Sequence, residues 1–144
     1  MKTNQDTLKV LWSILCQSSS IDQTTNNISI YNALEQLTFT KGKEKPPSGP
    51  HAVPLQYEYI VLLQRPDSSA KATYPLTLRI RDPKGMVISE APIPVIFDEG
   101  KKRMRVRMQN NTFQISGAGE YLFEALLGED ENPIISTPLE IIIN

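Results

Sequence analysis

Met104-Arg105-Val106-Arg107-Met108 alternates apolar and basic residues, and that period of two decides the fold class. Leu76-Thr77-Leu78-Arg79-Ile80-Arg81 alternates in the same way and stops at Asp82-Pro83-Lys84-Gly85, a strong turn signal. Met86-Val87-Ile88-Ser89 follows at once, so these two runs are expected to form a hairpin. Working outward, Lys9 to Gln17 reads as the first strand and Ile28 to Thr40 as the second, with a polar surface loop from Ser18 to Asn27 between them. Ala33-Leu34-Glu35-Gln36 interrupts the second run and predicts a bulge or bend.

Leu55 to Gln64 begins by alternating and then turns continuously apolar, as a central strand buried on both sides requires. Thr112 to Ile115, Tyr121 to Leu127 and Leu139 to Ile143 complete the series, the last two separated by the acidic turn Gly128 to Pro133. About eight or nine strands at regular spacing, without an amphipathic helix of useful length, predict an all-β sandwich or barrel. Lys41 to Pro54 breaks the pattern with four prolines and three lysines, and is expected to be a long, flexible connection too polar to offset its ordering cost.

The chain has 144 residues, a length that favours a single domain over residues 1–144 with a core large enough to need no staples. One cysteine excludes an internal disulfide framework, and with a single histidine it excludes the usual Cys/His zinc sites. A net charge of −1 gives no global attraction to nucleic acid or anionic membranes. Between Met1 and Ser20, Asp6 and Ser13 interrupt what a secretory signal needs, and no run approaches the ~20 apolar residues of a membrane span. The expectation is a soluble cytoplasmic protein without membrane contact.

Ile115-Ser116-Gly117-Ala118-Gly119-Glu120-Tyr121-Leu122-Phe123 resembles the lead-in to the sixth strand of immunoglobulin-like sandwiches, where a tyrosine corner forms. Gly119 and Tyr121 fit that pattern, and Phe123 stands where a cysteine would be. No early cysteine matches it, and Trp12 lies too near the start to be the core tryptophan. The resemblance therefore implies an immunoglobulin-like antiparallel β-sandwich without antibody or receptor character. The order of segments is also similar to a group of uncharacterised bacterial and phage-associated small β-sandwich proteins. It rests on Leu11 to Gln17, Ile28 to Leu34, Gly119 to Leu127 and Ser136 to Ile141, covers most of the chain outside 41–54, and brings no activity to transfer.

Chemistry is sparsely signalled. Cys16 lies on an apolar strand, where a buried inert thiol is favoured over a nucleophile paired with His51. No GxGxxG, P-loop or HExxH motif occurs, and Gly117-Ala118-Gly119 is too short to cradle phosphate. The consecutive carboxylates Glu129-Asp130-Glu131 suit a solvated turn better than a calcium loop. No catalytic residue, metal site or cofactor is expected.

Two surfaces remain. Arg103, Arg105 and Arg107 share one face, about 7 Å apart along the strand, and suit a polyanion. Lys101 and Lys102 extend them, Arg79 and Arg81 join if their strand is adjacent, and no aromatic residue interleaves them to stack bases. Cross-strand pairing with Glu120, Glu124 and Glu140 is the competing expectation. Elsewhere, Leu122, Leu126 and Ile142 are apolar on the second face of their strands and call for cover by the Pro-rich loop, a second copy or another protein. The leading expectation is a non-catalytic protein-interaction or assembly module, by an unknown protein partner or self-association; polyanion or nucleic-acid binding through the basic strand is the alternative.

Overall fold

A computed structural model describes residues 8–40 and 50–144. Nine strands occur among them: β1 Lys9–Ile21, β2 Ile28–Ala33, β3 Gln36–Phe39, β4 His51–Gln64, β5 Ala72–Arg81, β6 Val87–Phe97, β7 Arg103–Ile115, β8 Gly119–Leu127 and β9 Ile135–Ile143. They form a four-stranded sheet, β2-β1-β4-β7, and a five-stranded sheet, β3-β9-β8-β5-β6. The two sheets make the immunoglobulin-like β-sandwich that the alternation and the tyrosine corner predict. The described residues contain no helix long and apolar enough to cross a membrane.

The core lies where the inward parities of the two sheets meet: Tyr59, Val61 and Leu63 of β4 against Leu78 and Ile80 of β5 and Phe123 of β8. Tyr57, Phe113, Tyr121 and Phe123 meet edge to face or stacked, with ring centroids 5.3–6.2 Å apart, the offsets that ring quadrupoles favour. The tyrosine corner is closed by hydroxyl chemistry. Tyr121 donates to the Gly117 carbonyl at 2.6 Å and accepts the Ser116 N–H at 2.9 Å. Gly119 follows at φ 133°, where a Cβ would stand 2.8 Å from the Pro83 side chain, so two reasons require glycine.

Several boundaries differ from the sequence reading. The connection expected over 41–54 ends sooner, because His51-Ala52-Val53-Pro54 opens β4 and pairs with Ile115 to Thr112 of β7; residues 41–49 lie outside the described residues. The basic run and Thr112–Ile115 are one strand, the polar Gln109 and Asn110 being held opposite Glu58 and Tyr57. The interruption at Ala33–Gln36 is a bend that moves the chain between sheets: Asn32 takes φ 56°, Leu34 N–H bonds the Leu15 carbonyl, and β3 then joins β9. That pairing is parallel, while the other strand pairings among the described residues are antiparallel, as expected.

Candidate functional site

The basic strand β7 is an edge of the four-stranded sheet, beside β4. Opposite Arg103, Arg105 and Arg107 stand Gln64, Leu62 and Ile60, an amide and two hydrocarbons. The three guanidinium groups therefore share a face, as the alternation requires, but they meet different surroundings. Arg103 Nε donates to Gln64 Oε1 at 3.0 Å. Arg107 Nη1 donates to Ser19 Oγ at 2.9 Å, and Ser19 in turn donates to the buried Glu58 carboxylate, which also receives Gln109 Nε2 at 3.1 Å. Arg107 is thus linked through a hydroxyl to a buried negative charge. Arg105 Nη2 donates to the Asn26 carbonyl at 3.0 Å, while its Nε, shut away from solvent, has no acceptor among the described residues.

Asn26 belongs to the tip of the β1–β2 hairpin, which leans over the outer face of the sheet as far as β7. The tip is built by Asp22, whose carboxylate receives the N–H groups of Thr24 and Thr25 at 2.8 and 2.9 Å. Those bonds, the one from Thr25 foremost, lower the Asp22 pKa. Asn26 sits at φ 61°, a left-handed conformation that asparagine tolerates, and its N–H bonds the Asp22 carbonyl. Between tip and sheet lies an open cleft of about 870 Å³. Trp12, Leu62, Ile28 and Ile30 line it with apolar surface; Lys101, Arg103 and Arg105 supply the charge.

Two features of this cleft escaped the sequence reading. Trp12 pairs with Leu62, which pairs with Arg105, so the tryptophan lies two strands from the arginine on one outward face. A register shift between Val10 and Trp12 turns Val10 toward the core and leaves Trp12 outward. The other feature is Arg65, which is 1% exposed. Its Nε donates to the Lys101 carbonyl at 2.7 Å, Nη2 to the Asp98 and Ser68 carbonyls at 2.8 and 3.2 Å, and Nη1 to the Ala70 carbonyl. The guanidinium also lies 5.1 Å from the Phe97 ring centroid. A planar fork that saturates four carbonyls fixes the connection carrying Lys101 into β7.

The remaining candidates are dispersed. Arg79 and Arg81 do not join the basic strand: β5 belongs to the other sheet, and both bond Glu124 at 2.9 Å. Glu120 and Glu140 face each other across β8 and β9 instead of meeting arginines. Cys16 is fully buried, and burial followed by the nearby Glu58 raises its thiol pKa. It pairs with Glu58, seven residues along β4 from His51, a separation of roughly 20 Å that brings no nucleophile to a base. Of the expected partner strip, Leu126 is only 6% exposed, and Leu122 and Ile142 are half-buried.

No family model matches the chain, and no curated protein sequence does. Among solved structures it is similar to the alkylpurine DNA glycosylase of Pseudomonas fluorescens, seen bound to DNA containing an abasic site analogue. That likeness has a TM-score of 0.52 at 8% sequence identity, covers 94% of this chain, and spans only 30% of the glycosylase chain. An immunoglobulin-like protein from Pseudomonas aeruginosa aligns over 96% of this chain and 99% of its own, with a TM-score of 0.42 and 9% identity. At such identities the likeness to the glycosylase is one of fold alone.

Proposed function

We propose that this protein is a non-catalytic binding module that holds an anionic partner in the cleft between the β1–β2 hairpin and β7. The observation that carries the reading is the state of its cations. Among the described residues, no carboxylate lies within ion-pair distance of Lys101, Arg103 or Arg105, whereas the comparable Arg79 and Arg81 share Glu124. Unpaired guanidinium groups beside a low-dielectric wall gain most from an incoming anion. The protein-assembly reading draws less support, because Leu126 is already covered by the chain itself and Leu122 and Ile142 are half-buried. The same proposal places the protein in the cytoplasm, where the buried reduced thiol of Cys16 persists, and with the bacterial and phage-associated group its segment order resembles.

The test is binding to polyphosphate across a salt series. Three phosphate contacts on a flexible polyanion predict a slope of log affinity against log salt of about −2. The double variant Arg103→Glu/Arg105→Glu is expected to lose binding while remaining folded, with a small fall in melting temperature from the lost Arg105–Asn26 bond. Equal binding by the charge-reversed protein overturns the reading.

A further inference from the structure

We infer that the cleft recognises a nucleotide unit, with phosphate on Lys101, Arg103 and Arg105 and the planar base against Trp12; the inference rests on the anion-binding reading above. An anion site alone needs no aromatic residue. Here the only tryptophan of the chain lies among the cleft's lining residues, flanked by the aliphatic side chains of Leu62, Ile28 and Ile30. Trp12 and Arg105 are separated by two inter-strand spacings, about 10 Å, a distance that phosphate and base of one unit can bridge. Trp12 also stands outside the hydrophobic core, half-buried on the outward face that lines the cleft. Aromatic stacking beside a basic groove is the pairing by which single-stranded nucleic acids are held without sequence readout.

The cleft geometry restricts the ligand further. The hairpin tip overhangs the sheet and is tied to β7 through the Asn26 carbonyl and Arg105, and a base laid flat on Trp12 must be unstacked and unpaired, as in a single strand. Arginines about 7 Å apart along β7 then continue the contact to a neighbouring phosphate. A free nucleotide and a unit of a single strand share this chemistry, and chain length separates them.

Because Trp12 is the sole tryptophan, its fluorescence reports on the site directly. The full chain is titrated with a short oligothymidylate, thymidine monophosphate, a duplex of equal length and polyphosphate. Quenching by the oligonucleotide supports the inference, with single strands as the ligand if the mononucleotide is much weaker and free nucleotide if the two are equal. Labelled oligonucleotide should bind Trp12→Leu roughly 5- to 100-fold more weakly, with Trp12→Phe retaining most of the affinity. Polyphosphate binding without any oligonucleotide quenching overturns the nucleotide inference and leaves the anion-binding reading standing. Binding of neither ligand overturns both. Tighter binding of duplex than of single strand, or unchanged affinity in a folded Trp12→Leu variant, also overturns the inference.

Discussion

Arg79 and Arg81 on β5, and Arg103, Arg105 and Arg107 on β7, arise from the same sequence device, a basic residue at every second position of an outward strand face. Their fates differ because their neighbours differ. Directly opposite Arg79 lies Glu124 of β8, nearly buried, with one carboxylate oxygen 2.9 Å from both guanidinium groups. Opposite Arg103 and Arg105 lie Gln64 and Leu62. One stripe is therefore held by a carboxylate of its own sheet, whereas Arg103 and Arg105 of the other meet no carboxylate among the described residues. Alternation specifies which face a charge occupies; only the adjacent strand decides whether that charge is neutralised.

The largest effect expected from this contrast comes from Glu124→Ala. It strands Arg79 and Arg81, the first with little access to water, and should cost about 3 kcal/mol in urea unfolding, as for a buried ion pair losing one member. The matching change on the other sheet, Arg103→Gln, should lie within about 0.5 kcal/mol of wild type, since no carboxylate is left behind. Similar losses for both variants would erase the distinction between the stripes.

A second contrast sets the tyrosine corner against the cleft. The corner was legible because it is local: Gly119, Tyr121 and the carbonyl that receives the hydroxyl lie within five residues, and the turn at Asp82–Gly85 is equally compact. The cleft was not, because Trp12, Asn26 and Arg105 converge only after β1 has paired with β4 and β4 with β7. Strand geometry over Lys9 to Gln17 places Trp12, Ile14 and Cys16 on one parity, but does not say which strand lies alongside. Sheet membership of β5 was hidden for the same reason, and Arg65 carries no local signature, since its acceptors are carbonyls contributed by two separate loops. Tyr121→Phe tests the legible part. It leaves the Ser116 N–H and Gly117 carbonyl to water and should cost about 1–2 kcal/mol.

Asp82 joins the corner to the β5–β6 turn and gives the contrast a pH axis. Its carboxylate accepts the Met86 and Lys84 N–H groups at 2.9 Å and the Ser116 hydroxyl at 3.0 Å. The Met86 bond foremost holds its pKa below the usual 3.8. Folding thus favours the ionised form, so its contribution is complete above about pH 4 and fades as pH falls through the lowered value. In chemical denaturation, Asp82→Asn should be less stable than wild type near neutrality, and the two should converge in acid. A gap that stays constant down to acid pH would show that the carboxylate charge plays no part.

Leu62→Glu makes only a small change to stability and is the sharpest test of the comparison, because it transplants the Glu124 arrangement to the basic sheet. Leu62 pairs with Arg105 as Glu124 pairs with Arg79, and it is half-buried on the outer face, outside the main core. The lost apolar contact and the gained ion pair oppose each other, so stability should stay within about 1 kcal/mol of wild type. Binding should respond far more, since a resident carboxylate competes with the ligand for Arg105. The salt slope with single-stranded oligonucleotide should become shallower by about one contact, 0.7 in log–log terms. If affinity and slope are both unchanged in the folded variant, Arg105 meets no phosphate, and the difference between the two arginine stripes carries no function.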